Sequence, residues 1–524
     1  MKKFKIPHTY VIIFILIMLC AVATWFVPAG KYVKDAAGNF NYELIESTPQ
    51  SWQIFTSLYD GFTDKADIIV FILIIGGAFW IINSSRAIDI GIGSFIKKTE
   101  LWEQHKWLKI IGVNNIILTC IMLLFSIFGA VFGMSEETIA FVVILVPMAI
   151  SMGYDSITGL CLCFVAAALG FAGAILNPFT IGIAQGLAGL PLFSGIGYRL
   201  ICWIVINIFG IGYILHYAAK VRRNPKSSLV YKDDSYWRSL HNSNNEDVTI
   251  QRSTKSAWMS FIVTLCGLII FSIKYPLTDF EIGNSTVQDV AIIPILTTLF
   301  GLSSICVLRK SVHLYILNLL FFTIFFLVAG VMGYGWYIGE ISGLFLAMGI
   351  FSGWASGYNP NRITSLFIEG CKDIFSAAMV VGLAGGIISI LKQGGIIDTI
   401  LHSMASGMEG FGKIATVEIM YAIQTIINIF IPSGSAKAAL TMPIMATFSD
   451  LIGLSKQATV MAFQFGDGFT NLITPTSGVL IAALGMARIP YEKWVRWVFK
   501  FILLLTLLGM LLLIPTVTIP MDGF

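Results

Sequence analysis

"DGFTDKADIIVFILIIGGAFWIINSSRAID" at residues 60–89 has a second copy, "EGCKDIFSAAMVVGLAGGIISILKQGGIID" at 369–398, and the reading of that pair decides the fold. At a constant offset of 309, Asp60 aligns with Glu369, Gly61 with Gly370, Gly76 and Gly77 with Gly385 and Gly386, and Asp89 with Asp398. The match continues downstream, with Pro147 over Pro443 and Gly170 over Gly466 at an offset of 296, and Pro178 over Pro475 at 297. Each copy reads as a short amphipathic segment, a span, a hairpin, a Pro-interrupted span and a final span.

The surroundings of the repeat are membrane-like. Of 524 residues, 56% are hydrophobic and 12% charged, and the mean hydropathy is +0.83. Windows of about 20 residues almost free of charge match the thickness of a bilayer and lack the alternation of a membrane barrel. The expected class is an all-α polytopic membrane protein. The opening apolar run, 10–29, is too long for a signal peptide and has no small-residue cleavage site, so it reads as a retained first span. The eight cysteines sit mostly in apolar segments, and neither they nor the six histidines show metal spacing. No cofactor, metal or nucleic-acid partner is expected.

Apolar blocks at 10–29, 67–84, 158–190, 196–218, 257–275, 289–308, 313–333, 340–356, 374–391, 457–487 and 492–518 give eleven expected crossings. Two pairs of shorter segments, 112–130 with 137–152 and 414–431 with 435–451, read as re-entrant hairpins. With a cytoplasmic amino terminus, 24 of the 33 Lys and Arg fall inside and 8 outside, with Lys437 left over, as the positive-inside rule requires. Lys2, Lys3, Lys5, Lys97, Lys98, Lys106 and Lys109 are in the inside set, Arg199 in the outside one. Seven crossings then separate the two copies, so they are inverted. The expected organisation is a first span and extracellular loop (1–50), inverted repeat 1 (51–218, hairpin 112–152, broken helix 158–190), a solvated cytoplasmic linker (219–256), scaffold spans (257–356) and inverted repeat 2 (357–524, hairpin 414–451, broken helix 457–487). Segments 51–62 and 361–373 read as helices lying along the interfaces.

The interruptions carry the chemistry. "GAILNPFTIG" (173–182) and "NLITPTSGVL" (471–480) break helices at matching places, where proline frees carbonyls and Asn177, Thr180, Thr474 and Thr476 can bind a solute. The hairpin tips, "GMSEET" (133–138) and "IPSGSAKAA" (431–439), offer Ser433, Gly434 and small residues for a turn, with Ser135 and Ser435 as N-caps whose helix starts favour anions. At a wet interface Glu136 and Glu137 would be first-turn acids complementing a helix dipole. At the midplane an ionised acid costs at least about 2.5 kcal/mol, which points to a partner. Asp467, with Thr470 and Asn471 one turn on, is the strongest single candidate for binding, the alternative being a structural hydrogen bond. Lys437 could neutralise an acid or meet a carboxylate.

The blocks "PHTYVIIF", "WFVPAGKY", "MSEETIAF", "VPMAISMGYDSITG", "NPFTIGIAQ", "PSGSAKAALTMPIM", "FQFGDGFTNLITPTSGVL" and "IPYEKW" resemble the YfcC-type transporters, grouped with the anaerobic four-carbon dicarboxylate carriers. The resemblance implies a fold like the divalent anion/sodium symporters, with opposed hairpins, an elevator-like movement and commonly a homodimer, in the bacterial inner membrane. It implies substrates among basic amino acids, including arginine/ornithine exchange, or dicarboxylates. Symporter tips carry Ser-Asn-Thr where this chain reads "SEET" and "SGSAK", which places both the sodium sites and an anionic substrate in doubt. Three acids against Lys437 suit a cationic amino acid. The expectation is a secondary antiporter, with no phosphate-binding loop for ATP and no catalytic constellation; the alternative is proton- or sodium-coupled dicarboxylate transport.

Overall fold

Every backbone N–H and C=O inside hydrocarbon must find a partner within the chain, so long apolar runs become helices. The computed structural model describes residues 9–34, 40–88, 90–91, 94, 112–243, 252–282, 285–408, 410–521 and 523. Lys2, Lys3, Lys5, Asp89, Lys97, Lys98, Lys106, Lys109 and residues 244–251 of the linker lie outside the described residues. The helices run α1 Thr9–Phe26, α2 Gln53–Asp64, α3 Ala66–Ser84, α4 Val113–Phe132, α5 Thr138–Ser151, α6 Ser156–Gly173, α7 (178–187), α8 Ile196–Arg223 and α9 Ser235–Ser243. They continue as α10 Lys255–Lys274, α11 Ile292–Leu308, α12 Val312–Tyr334, α13 Ile338–Ala355, α14 Pro360–Gln393, α15 Ile397–Ser406, α16 Lys413–Phe430, α17 Gly434–Leu451, α18 Lys456–Thr470, α19 Gly478–Ala487 and α20 Tyr491–Leu513. Two antiparallel hairpins, β1 Gly30–Lys34 with β2 Phe40–Leu44 and β3 Thr278–Ile282 with β4 Ser285–Val290, occupy connecting loops that the all-helical expectation omitted.

Among the described residues nine helices are long and apolar enough to cross a membrane, or ten with the bent α14 as one span. This is not the expected set of eleven. α11 is 17 residues long, the Tyr10–Phe26 part of α1 is equally short, and the second broken span is divided into α18 and α19. Conversely α4 and α16, expected over 112–130 and 414–431 as arms of re-entrant hairpins and not counted as crossings, are 20 and 18 residues long and are among the nine. Segment 361–373 is joined without a loop to the span that follows it. Asn359 Oδ1 accepts the Arg362 amide at 2.8 Å above Pro360, a cap with proline in the first turn, and the helix then runs unbroken to Gln393 with a 44° bend near residue 377. Outward-facing Ile208, Ile273, Leu302 and Leu511 are all exposed, as expected of side chains meeting lipid tails.

The repeat glycines pack on one another across the copies. A Cβ on Gly61 would lie 2.3 Å from the Gly386 amide nitrogen, and one on Gly370 would lie 2.5 Å from the Gly76 carbonyl. The contact is reciprocal: the first copy's early glycine meets the second copy's late pair, and the reverse. Polar contacts follow the same rule. Asp60 Oδ2 accepts from Ser389 Oγ at 3.0 Å and Glu369 Oε2 accepts from Trp80 Nε1 at 3.1 Å, and Trp80 and Ser389 are themselves separated by the repeat offset of 309. Glycine is required here because no other residue lets helix backbones touch. Gly170 and Gly466 do the same within each copy, where a Cβ would lie 1.8 Å from the Ser126 carbonyl and 2.8 Å from Gln424 Cβ.

The described residues 224–243 of the linker are not a merely solvated connection. Asp155 Oδ2 accepts from Tyr217 at 2.5 Å and Ser228 at 2.7 Å, while its Oδ1 caps α6 through Thr158. Asp234 Oδ2 accepts from the Ser156 amide at 3.1 Å, and burial pushes that carboxyl up to about 6 against the lowering effect of this bond. Trp237, buried, donates to the Ala487 carbonyl, and Asp233 pairs with Lys493 at 2.5 Å. Residues 224–243 therefore form a docked clasp, built on buried polar groups that composition alone hides.

Candidate functional site

Both broken helices break as expected, but the freed carbonyls are already taken. α6 ends where Ala174 turns left-handed at φ 39°. Arg199 of α8, fully buried, donates to the carbonyls of Ala174 at 3.1 Å, Ile175 at 3.4 Å, Phe193 at 2.9 Å and Ser194 at 2.5 Å. A guanidinium suits this end because it brings five donors and a positive charge to a helix C-terminus. It is not the surface charge that the count of basic residues made it. At the second break, Trp494 donates to the Leu472 carbonyl at 2.8 Å and Tyr491 to that of Ile473 at 2.6 Å. The chain's own side chains thus occupy positions expected to await a solute.

Asn177 is such a case. Its Oδ1 accepts the amides of Phe179 and Thr180 at 2.9 and 3.3 Å, so it caps α7. A Cβ on Gly133, at φ 68°, would lie 2.5 Å from that same oxygen; glycine supplies the left-handed turn and the close approach of the first tip to the first break. At the second break Thr476 Oγ1 donates to the Ile429 carbonyl at 2.6 Å, which fastens it to α16. The expected caps also move: Glu137 rather than Ser135 precedes α5, its carboxylate accepting the Ser135 amide at 2.9 Å, and Ser433 rather than Ser435 precedes α17.

The tips and the breaks converge on one cavity of about 290 Å³. Of the residues anticipated from the sequence, Ser135, Glu136, Glu137, Thr180, Ser433, Gly434, Ser435, Asn471 and Thr476 line it. Asn177, Lys437, Asp467, Thr470 and Thr474 do not. Thr470 Oγ1 donates to the Gly466 carbonyl of its own helix at 2.7 Å, and Thr474 Oγ1 is buried with no partner among the described residues. Asp467, the leading candidate, lies behind the wall: it is fully buried, pairs with Lys437 at 3.1 Å, and its Oδ2 would be 2.9 Å from a Cβ on Gly434. Ion pair and cavity are separated by a glycine backbone.

Sequence reasoning missed Asp64, Lys65 and Asp67, at the joint between α2 and α3, and Tyr337 and Phe179, all of which line the cavity. Lys65 pairs with Asp64 at 2.7 Å. With Lys437 matched to Asp467 and Lys65 to Asp64, the acids that line the cavity with no basic partner among the described residues are Asp67, Glu136 and Glu137. The first residues of α5, α17 and α19 and the second and third of α7 also line it, but the Phe179 and Thr180 amides are taken by Asn177 and that of Thr138 by the Ser135 carbonyl, which leaves the helix starts at Gly434 and Gly478 to favour an anion.

A model of the C4-dicarboxylate anaerobic carrier family, DcuC, matches residues 6–518. The chain belongs to that family. Over 99% of its length it is 30% identical to an Escherichia coli K12 protein provisionally described as the basic amino acid antiporter YfcC, 96% of which is covered. A Vibrio cholerae protein described as a probable anaerobic C4-dicarboxylate transporter DcuC is 26% identical over 28% of the chain and 32% of its own length. The crystal structure of the Alcanivorax borkumensis YdaH transporter is similar over 97% of this chain and 98% of that one, at 15% identity and a TM-score of 0.40. The family and the apolar helices make this a multi-pass membrane protein of a transporter family.

Proposed function

We propose that the chain is a secondary carrier that exchanges cationic amino acids of the arginine and ornithine type across a bacterial cell membrane. The observation that supports this reading most is the uncompensated acid at the cavity: Asp67, Glu136 and Glu137 line it, while Lys437 is already paired. Carboxylates take the guanidinium or side-chain ammonium by charge-assisted hydrogen bonds. The helix starts at Gly434 and Gly478 and the hydroxyls of Ser433 and Ser435 take the substrate carboxylate. The E. coli relative's description points the same way.

The two units are inverted in this reading, supported by the reciprocal Gly61–Gly386 and Gly370–Gly76 contacts, and the turns at 133–137 and 431–433 are the tips of re-entrant hairpins. Alternating access follows from an elevator-like movement of hairpins and broken helices against spans 257–356, in a homodimer with cytoplasmic amino termini. No chemical step is assigned to the site. The second reading, a proton- or sodium-coupled dicarboxylate carrier, draws on the family description and on the helix starts at Gly434 and Gly478, which favour anions. The two separate in proteoliposomes loaded with ornithine and offered labelled arginine. Stimulation by internal ornithine and competition by lysine are expected; competition by succinate alone would give the case to the second reading.

A further inference from the structure

Lys437 and Asp467 are fully buried and face each other at 3.1 Å, on α17 and α18. Among the described residues the ammonium has little else: its remaining neighbour of note is the face of Phe463, 4.9 Å from the ring centroid. Ala438, next to Lys437, and Phe463, one turn before Asp467, belong with Met442 and Val460 to a buried apolar cluster. An ion pair so poorly supplied with hydrogen bonds is an expensive way to hold two helices together, and an apolar pair of similar volume would do so at lower cost.

The position suggests what the ammonium is for. Asp467 lies in the last turn of α18, whose C-terminal carbonyl end is already negative, and its main-chain carbonyl accepts the Asn471 amide at 3.3 Å. Asn428 Oδ1 and Thr474 Oγ1 are also buried without partners, on or next to elements that meet at the same break. This corner calls for a positive charge. Lys437 supplies one from three residues beyond Gly434, whose Cβ would lie 2.9 Å from Asp467 Oδ2 and which lines the cavity. A cation arriving here would set the position of the second tip against the second break; a lysine on the tip helix sets it permanently.

We propose that Lys437 is a tethered counter-cation, its ammonium filling at Asp467 the place that a cation from solution would otherwise have to occupy, so that the second tip closes without a coupling metal ion. This rests on the carrier reading but not on which solute is carried. A carrier with a built-in cation draws no drive from a sodium gradient, and its turnover is set by the solute on the opposite side.

The test is thermal unfolding of the purified protein in sodium chloride and in choline chloride at equal ionic strength. Wild type is expected to melt at the same temperature in both. Lys437→Ala should melt lower in choline and be raised saturably by sodium or by ethylammonium, which fits the space left by the removed side chain. The double variant Lys437→Ala with Asp467→Asn should lose that response. A monodisperse Lys437→Ala that ignores both cations would overturn the proposal. So would a saturable sodium stabilisation of wild type, an arm that stands even if the variants fail to fold. Failure of arginine exchange in proteoliposomes would refute the substrate reading and leave these results untouched.

Discussion

The two tips occupy matching places in the chain and border the same cavity, yet they treat charge in opposite ways. Ser135, Glu136 and Glu137 bring two carboxylates to the cavity from the first. Pro432, Ser433, Gly434 and Ser435 bring none from the second, and the nearby Lys437 is turned inward and matched with Asp467. A repeat can therefore preserve backbone geometry while dividing the charge: one tip presents acids to the cavity, the other turns a lysine onto a buried aspartate. The breaks show the same division, since one buried cation, Arg199, serves the first with two hydrogen bonds, to Ala174 and Ile175, while the neutral Tyr491 and Trp494 serve the second with one each.

The comparison breaks most easily at the buried pair. Asp467→Leu leaves Lys437 unpaired in the interior and should destabilise the protein by about 3–5 kcal/mol, whereas Glu136→Gln at the cavity should change stability by less than about 1 kcal/mol; denaturant unfolding in detergent compares them. If both cost the same, the tips do not differ as described. At the breaks, Arg199→Met strands several carbonyls and should cost about 3 kcal/mol, against about 1 kcal/mol for Tyr491→Phe. Equal melting temperatures for the two would show that the breaks are served alike. Smallest is the expected difference between Gly61→Ala and Gly370→Ala. Each overpacks a helix crossing by about 1–3 kcal/mol, and because the contacts are reciprocal the two losses should agree within about 1 kcal/mol.

How much of this was legible in the sequence depends on the interaction. The breaks at Pro178 and Pro475 could be read because proline acts on its own turn, and the matched glycines because backbone contact admits nothing larger. The convergence of both tips on one cavity followed from the repeat. The place of Asp467 did not. Spacing puts it on a helix near Asn471, but whether it faces a cavity or Lys437 depends on how α17 packs on α18, a contact set by side chains far apart in the chain. Arg199 was hidden for the same reason, since an arginine near the end of an apolar run looks like a loop charge until the carbonyls it meets are in place. The joint at Lys65 and Asp67 was passed over because charges at an interfacial helix end look solvated, and the docked residues 224–243 because their composition is polar.

The central claim is that the cavity recognises a cationic amino acid through the first tip. Titration calorimetry of arginine and of succinate into purified wild type and into the double variant Glu136→Gln with Glu137→Gln tests it most directly. Arginine should bind wild type and weaken by at least about 10-fold in the variant, as the loss of a charge-assisted hydrogen bond worth 1.5–3 kcal/mol requires, with succinate bound by neither. Succinate binding to wild type, or arginine binding unchanged by the double substitution, would contradict the account.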